Sequence, residues 1–188
     1  MKNDQFKDAT ECNDSVIGEW DLVDRDSFID TMSSVANSVN VVTTSGETGK
    51  YGVTVSAATS VTADPPSLLV CVHELSQAAS AILKNGVFAL NVLSSNQQKM
   101  SELFAGRMTD APLDRFSVGS WTELKTACPI LRRAVAVFDC HVVNSYKQGS
   151  HYIFIGQVVA TLKGVGDPLI YSQRAYTQLN KGDNLESN

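Results

Sequence analysis

Short runs of β-branched and aromatic residues, each bounded by turn residues, recur along most of the chain. Residues 39–45 and 51–56 form one pair of such runs, separated by a turn with two glycines, and this arrangement is typical of a β-hairpin. Residues 134–143 and 151–159 form a second, longer pair, with Gly149 in the connection. The pattern therefore predicts neighbouring antiparallel strands over much of the protein.

Three other segments place apolar residues at helical spacing and carry capping residues at their ends. They run from Asp26 to about Asn37, from Ser76 to Asn85 before Gly86, and from Gln97 to Ala105 before Gly106. Further strands are indicated at residues 67–72, 87–93 and 168–171. Residues 109–129 have little period and indicate a long loop.

These elements favour a mainly β fold with flanking helices, in which an antiparallel sheet closes into a barrel. The pair Gly164 and Gly166 does not indicate a dinucleotide-binding Rossmann turn, because Pro168 follows where a helix should begin. The turn with Gly46 and Gly49 does not match a phosphate-binding P-loop, because too few residues separate the glycines. A parallel, doubly wound sheet is therefore disfavoured.

The chain of 188 residues is long enough for one domain, which we expect over residues 26–180. Residues 1–25 indicate a mobile acidic extension, and residues 181–188 a polar tail. Residues 1–30 hold nine Asp or Glu against three Lys or Arg, which gives this segment a net charge of −6. Because the net charge of the whole chain is −5, the remaining residues have a net charge of +1. A nearly neutral body gives no basic surface for nucleic acid or an anionic membrane. Because no apolar run approaches the ~20 residues of a membrane span, we expect a cytoplasmic protein.

The four cysteines form no CxxC pair, and three of them lie in or beside apolar runs. They are Cys12, Cys71, Cys128 and Cys140. We expect reduced structural thiols, with neither a disulfide framework nor a zinc site. No metal-binding residues are therefore assigned.

Residues 52–66 (GVTVSAATSVTADPP) combine small hydroxyl residues with Val, Ala and Pro. Small side chains let a flat ligand approach the backbone, and backbone N–H and C=O groups at a strand end can match the polar edge of an isoalloxazine ring. Residues 53–57 could do this. An ordinary Thr- and Ser-rich strand and loop explains the same composition, and composition alone favours that alternative.

The order of several pieces resembles that of the flavin-reductase-like family, the reductase components of two-component flavin monooxygenases, built on the FMN-binding split barrel. The matching pieces are residues 52–66, 88–93, 97–106, 115–116, Cys140, 149–151 and 156–158. The match runs from about Asp26 to Leu179, and its specificity lies in the joint order and spacing of the pieces. The resemblance implies an antiparallel split β-barrel with a flavin site in residues 52–66.

The resemblance also implies which residues hold the flavin. Those near the ring are Val53, Thr54, Val55, Ser56 and Ala57, with Thr59 and Ser60 nearby and Asn91 on the following strand. Candidates for the phosphate or ribityl group are Ser76 and Ser94, and Ser94 opens a predicted helix whose first N–H groups favour an anion. Lys99 and Arg107 either neutralise phosphate charge or form a solvated helix face. Candidates for the aromatic walls of the pocket, each also explained by core packing, are Phe104, Phe116, Trp121, Tyr171 and Tyr176.

His151 follows a turn glycine and precedes an apolar strand, at the place where this family usually has Gly-Asp-His. By resemblance, its imidazole contacts nicotinamide or flavin and makes it the candidate catalytic residue. Ser150 stands where the family has Asp, so the carboxylate beside the histidine is either absent or has moved. His73 and His141 are interpreted as structural.

The expected function is that of an NAD(P)H:flavin oxidoreductase, which transfers hydride from reduced nicotinamide to FMN or FAD. By resemblance it is a homodimer and supplies reduced flavin by diffusion to a monooxygenase acting on an aromatic compound. The lack of an Arg cluster for a 2′-phosphate favours NADH over NADPH. A flavin-binding or ligand-sensing barrel without turnover is the alternative, motivated by Ser150. The choice between FMN and FAD stays open at this point.

Overall fold

The computed structural model describes residues 21–179, so the predicted tail and most of the predicted acidic extension lie outside the described residues. The helices are α1 (Arg25–Ser33), α2 (Gln77–Asn85) and α3 (Gln98–Phe104), and within the described range none is long and apolar enough to cross a membrane. The strands are β1 (Asn37–Ser38), β2 (Asn40–Thr44), β3 (Tyr51–Val55), β4 (Ala58–Ala63), β5 (Pro66–His73), β6 (Val87–Val92), β7 (Trp121–Thr122), β8 (Ile130–Leu131), β9 (Ala136–Gln148), β10 (His151–Lys163), β11 (Ile170–Ser172) and β12 (Ala175–Thr177).

The main sheet has seven strands in the order β3-β2-β6-β9-β10-β5-β4, and all neighbours are antiparallel. β3 and β4 are consecutive in the chain, yet they lie at opposite edges of the sheet and are joined by a corner at residues 56–57. The sheet curls so that β3 also approaches β5, and the β4–β5 ladder continues into the corner, where the Cys71 N–H donates to the Ala57 carbonyl at 3.0 Å. The edges β3 and β4 are left apart, and this arrangement confirms the predicted antiparallel split barrel.

The hairpin of β9 and β10 bends the sheet. Its register shifts between Ile155 and Gly156 and again between Val158 and Ala160, and such bulges increase local twist. At the first shift the backbone lies against a ring in the barrel interior, because a Cβ added to Gly156 would be 2.5 Å from Phe88 Cζ. A glycine is therefore required at this bend.

The barrel interior is filled by apolar side chains, and α2 covers one end of it. The largest buried members of this core are Val42, Val70, Val72, Ile82, Phe88 and Phe154. α2 has Ser76 as its N-cap, with the Ser76 hydroxyl accepting the Ala78 N–H at 3.2 Å, and it ends at Gly86 with φ of 68°. Both capping signals are local, so the helix lies where the sequence predicts it.

A second apolar cluster lies outside the sheet, where α3 covers β2 and β3. Met100, Leu103 and Phe104 form the apolar face of α3 and pack against Val41 of β2. The helix is preceded by a 3₁₀ turn at Ser95–Gln97. α3 is therefore shorter than predicted, but it presents the predicted face to the sheet.

The first helix differs from its prediction. α1 ends at Ser33 rather than near Asn37, and none of its nine residues is buried. It is held at the turn between β11 and β12, where the Gln173 N–H donates to the Ser33 carbonyl and Arg174 pairs with Asp30 at 3.2 Å. Because α1 contacts this turn and does not pack against the main sheet, the apolar side chain of Phe28 is 56% exposed.

The segment 109–129, predicted as a long loop, contains local structure. A 3₁₀ turn at Arg115–Ser117 is followed by β7, which pairs with β8. The segment is then tied to the buried carboxylate of Asp139, which accepts the N–H of Thr126 at 2.9 Å and also its hydroxyl. It is therefore fixed against the body of the protein.

Candidate active site

The free edge of β3 faces a groove of about 500 Å³. β3 lies at one end of the main sheet and has β2 as its strand neighbour. The groove is lined on this side by Tyr51, Gly52 and Val53, and it is bounded by the start of α2 and the end of α3. The edge of a strand offers a row of backbone N–H and C=O groups. Such a row can match the polar edge of a planar heterocycle, as the sequence of residues 52–66 leads us to expect.

Two phenyl rings form one wall of the groove, and Gly52 lets them approach the strand. A Cβ added to Gly52 would lie 2.6 Å from Phe104 Cε1 and 3.4 Å from Phe116 Cζ. The centroids of these two rings are 5.3 Å apart. The ring centroid of Trp121 lies 5.6 Å from that of Phe104 and 5.0 Å from that of Phe116. Phe104 and Phe116 thus lie where wall residues are expected, whereas Trp121 packs against them and is not among the lining residues.

Charged groups and a helix start also line the groove. Lys50 and Arg115 supply positive charge there, with Asp114 as a neighbouring carboxylate. Ser76 lies at the start of the nine-residue α2, whose first N–H groups and dipole favour an anion. The Ser76 hydroxyl accepts the Ala78 N–H, so its own proton is left to donate to a ligand oxygen. The end of the groove at the start of α2 is therefore suited to a phosphate.

A smaller cavity of about 150 Å³ borders the end of β3, between α3 and the β11–β12 hairpin. It contains four of the expected flavin contacts, which are Thr54, Val55, Ser56 and Arg107. The Thr54 hydroxyl donates to the Ser101 carbonyl at 2.7 Å, and the Ser101 hydroxyl lies 2.9 Å from the hydroxyl of Tyr176. The hydroxyl of Thr54 can therefore only accept a hydrogen bond from a ligand. Tyr171 and Tyr176 are wall residues of this cavity and not of the groove.

Thr59 and Ser60 line a third cavity, of about 320 Å³, at the end of the barrel that α2 does not cover. The remaining lining is mainly apolar and includes Leu68, Phe138 and Val158. Residues 52–66 therefore border three cavities, and the expected flavin contacts are divided among them.

His151 lies at the end of the sheet near the corner of residues 56–57. It is the first residue of β10 and pairs with His73, the last residue of β5. Two residues earlier on β5, Cys71 is bonded to Ala57 of the corner, so His151 lies about 7 Å along the strand direction from the corner. The side chain is exposed, and the Ser150 hydroxyl is 3.0 Å from its Nδ1. The expected catalytic histidine is thus exposed and separated from the corner by β5, and it lines none of the three cavities.

Three expected ligand contacts are not supported by the structure. Asn91 is fully buried, and its amide group is bonded to the carbonyl of Val41 at 3.1 Å and the N–H of Leu131 at 2.8 Å. It holds strands together and is out of reach of a ligand. Ser94 is only 7% exposed and opens a 3₁₀ turn instead of the predicted α-helix, and it lines none of the three cavities. Lys99 is exposed on α3 and lines none of the three cavities.

The sequence analysis missed Lys50 and Arg115 as charged residues of the groove. Lys50 was interpreted only as part of a turn, and Arg115 only as part of a family motif. Arg115 carries no local signal for binding, because the groove forms only when the β2–β3 turn and the 3₁₀ turn meet. A basic residue directly before a candidate ligand strand is the signal that could have found Lys50.

The described cysteines are free thiols. Burial raises the pKa of Cys128 to about 11 and that of Cys140 to about 12, and it also raises the pKa of Cys71. All three are therefore protonated near neutral pH, and a protonated thiol is a poor nucleophile and metal ligand. This agrees with a structural role for them.

Taken together, an antiparallel split barrel with a ligand groove along a free strand edge and an accessible histidine at the barrel end defines a flavin-binding class of barrel. Residues 32–180 match the family model described as flavin reductase like domain, and the chain belongs to this family. The FMN reductase (NADH) RutF of Bradyrhizobium diazoefficiens is 40% identical over 162 residues, which cover 85% of this chain and 88% of the relative.

Two solved structures show the same likeness. BorF, the flavin reductase component of a bacterial two-component tryptophan halogenase, is 32% identical with a TM-score of 0.75, over 83% of this chain and 98% of that one. The NADH:FAD oxidoreductase SgcE6 of Streptomyces globisporus C-1027, in complex with NAD and FAD fragments, is 26% identical with a TM-score of 0.78, over 88% and 100%. The family and the fold expected from the sequence are thus confirmed.

Proposed function

We propose that this protein is an NADH:flavin oxidoreductase that binds FMN in preference to FAD along the free edge of β3. The groove carries the proposal, because it joins a strand edge, two phenyl rings and two basic side chains in one space of about 500 Å³. A concave site of this size, which combines apolar ring surface with placed polar and charged groups, is suited to a cofactor with a flat ring and a phosphate. The similarity to an FMN reductase (NADH) supports the choice of FMN and NADH.

Gly52, Val53, Lys50 and Arg115 would hold a flavin, which when bound would supply a hydride acceptor for reduced nicotinamide. The protein has to hold the two rings in register, since orientation contributes several kcal/mol to such a reaction. Gly52 and Val53 present backbone groups to the ring edge, and Phe104 covers the ring from one side. Lys50 and Arg115 neutralise the phosphate. His151 contacts the nicotinamide from the barrel end.

The direct test is reduction of flavin under argon. Purified protein is mixed with NADH and excess FMN, and the loss of flavin absorbance is followed over many turnovers. Initial rates for NADH and NADPH with FMN and FAD are compared, and we expect NADH with FMN to be fastest. Absence of bleaching with either nicotinamide contradicts the proposal. Tight flavin binding without nicotinamide oxidation favours a ligand-sensing barrel instead.

We further propose that reduced flavin leaves the protein and serves a flavin-dependent monooxygenase acting on an aromatic compound. Residues 52–66 contain no cysteine or histidine for covalent attachment, and the similar protein BorF is the reductase component of a two-component system. A dialysis membrane placed between this reductase and an aromatic hydroxylase should not abolish product formation, whereas complete loss contradicts transfer by diffusion. A cytoplasmic location stays a prediction.

We also propose a homodimer formed through the outer face of β5 and β10. Leu69 and Cys71 on β5 point away from the barrel core and lie opposite Ile155 and Ile153 on β10. All four side chains are partly exposed and form one apolar patch, which is a typical protein interface. Ile155→Arg should convert a dimer to a monomer in sedimentation velocity, whereas Val165→Arg, in an exposed loop, should not. A monomeric native protein contradicts the proposal.

A further inference from the structure

Three fully buried polar residues on neighbouring strands of the main sheet hold one segment that lies outside it. Thr43 of β2 donates its hydroxyl to the Pro129 carbonyl at 2.6 Å, and the side-chain oxygen of Asn91 on β6 accepts the Leu131 N–H at 2.8 Å. Asp139 of β9 is the third of these residues. Because β2, β6 and β9 are consecutive in the sheet, the three side chains form one polar platform under the segment.

Asp139 is the charged member of this platform, and its partner is Thr126. The two carboxylate oxygens accept the Thr126 N–H at 2.9 Å and the Thr126 hydroxyl. Within residues 21–179, no basic side chain pairs with this carboxylate. A buried carboxylate depends on the donors that it contacts, and an amide in its place accepts through one oxygen only. Thr126 is therefore held by a contact that a neutral side chain cannot fully reproduce.

The segment anchored in this way reaches the wall of the groove. Trp121 belongs to β7, which pairs with β8 at the end of the anchored segment. The ring centroid of Trp121 lies 5.0 Å from that of Phe116 and 5.6 Å from that of Phe104. The carboxylate of Glu123 lies 3.5 Å from the ammonium group of Lys50, but this ion pair is exposed and contributes little. The ring contacts of Trp121 are therefore the main link between the platform and the groove.

We propose that Asp139 is a positioning residue for the flavin groove, which acts through Trp121 on the wall formed by Phe116. This inference rests on the proposed function, in which the groove binds FMN. When Thr126 is released, the segment leaves the platform in a fraction of the molecules, and Trp121 no longer supports Phe116. The apparent Kd for FMN then rises by the inverse of the fraction in which the groove is intact. Bound flavin selects the intact arrangement, so kcat at saturating FMN is preserved.

Asp139→Asn tests this inference because the amide keeps the shape of the carboxylate and loses one acceptor oxygen. Thr126→Val is the second variant, which removes the hydroxyl from the other side of the same contact. Titration of flavin fluorescence without NADH gives Kd, and we expect Kd and KM for FMN to rise roughly five-fold in each variant. In both variants, kcat at saturating FMN and KM for NADH should be unchanged.

The matched control is Ser67→Ala on β5. It removes a hydroxyl of another buried residue, which donates to the Pro65 carbonyl at 2.9 Å and has no contact with the anchored segment. We expect this control to change neither Kd nor KM for FMN.

Tryptophan fluorescence reports the position of the segment. The chain has two tryptophans, Trp20 and Trp121, so Trp20→Phe leaves Trp121 as the only emitter. In this background, Asp139→Asn should shift the emission of the folded protein to the red, because Trp121 loses its ring contacts and becomes exposed. A raised Kd for FMN with unchanged emission contradicts the proposed action through Trp121.

A double variant separates positioning from a general loss of stability. In a Trp121→Leu background the link to the wall is already broken, so Asp139→Asn should cause no further rise in Kd for FMN. It should still lower the midpoint of thermal unfolding, because the contact with Thr126 is lost in either background.

The outcomes for the two proposals are distinct. Native protein that does not bind FMN removes the proposed function and this inference with it. Native protein that binds FMN, combined with an unchanged Kd in Asp139→Asn and Thr126→Val, overturns the inference alone, and Thr126→Val decides if Asp139→Asn does not fold. A rise in Kd that persists in the Trp121→Leu background, or that Ser67→Ala also shows, assigns Asp139 to general stability and overturns the inference as well.

Discussion

Replacing Gly52 by alanine tests whether the two phenyl rings shape the flavin groove. The added methyl group would lie 2.6 Å from Cε1 and 2.8 Å from Cδ1 of Phe104, well inside the ~3.5–4.0 Å of an ordinary carbon contact. Phe104 is only 2% exposed, and its ring centroid lies 5.3 Å from that of Phe116. The ring of Phe104 therefore has to move by about 1 Å and displace its neighbour.

Two measurable effects follow from this displacement. Overpacking by one methyl group costs about 1–3 kcal/mol, while replacing glycine stabilises by up to about 1 kcal/mol through the unfolded chain. We expect urea unfolding to show a net loss of roughly 1–2 kcal/mol in the free energy of unfolding. Because the rings form a wall of the groove, kcat/KM for FMN should fall roughly ten-fold or more.

A compensating variant separates this mechanism from general damage. Phe104→Leu removes ring atoms that the new methyl group would meet, so Gly52→Ala and Phe104→Leu together should be more stable than the sum of the single changes predicts, by about 1 kcal/mol. Strict additivity, together with native kinetics for FMN in Gly52→Ala, refutes the role assigned to the rings.

Three further predictions concern charge, backbone contact and pH. Arg115→Gln and Lys50→Gln should each raise KM for FMN roughly three- to ten-fold but leave KM for riboflavin, which lacks the phosphate, unchanged; an equal effect on both flavins contradicts the assignment. Gly164→Ala should prevent accumulation of folded protein in expression trials, because its Cβ would lie 2.0 Å from a backbone carbonyl oxygen that cannot rotate away. The free energy of unfolding should fall as the pH rises above about 9, because thiols of the unfolded chain then ionise. In the folded state, burial keeps the pKa of Cys128 at about 11 and that of Cys140 at about 12, so these thiols stay protonated. The slope is up to about 1.4 kcal/mol per pH unit for each thiol, and Cys140→Ala should flatten it in urea titrations at several pH values.

Elements with capping and turn signals in the sequence could be predicted, and elements defined by their neighbours could not. α2 lies between Ser76 and Gly86 as expected, because both caps act within one turn of the chain. β4 (Ala58–Ala63) was expected only as part of a strand and loop, since its Thr and Val residues favour a strand whereas its Ala and Ser residues do not. Its pairing with β5 determines its structure.

The same distinction applies to the site. Residues 52–66 could be identified as a candidate because they resemble one contiguous piece of the family's pattern. The groove could not, because Lys50 and Arg115 meet only in the folded chain. Asn91 shows the reverse error, since the resemblance implied a ligand contact, yet its amide satisfies buried backbone groups.

One short turn joins the groove proposed to hold flavin to the histidine pair proposed to meet nicotinamide. His73 ends β5 beside His151, and three residues later Ser76 lines the groove at the start of α2. The turn is closed by the Ser76 N–H, which donates to the His73 carbonyl at 2.9 Å, and Glu74 within it is bonded to Ser150. A displacement of this turn therefore changes the groove and the histidine pair together. Under the proposed function, residues 52–66 supply only the strand edge, and the end of β5 would set the relation between the two rings on which hydride transfer depends.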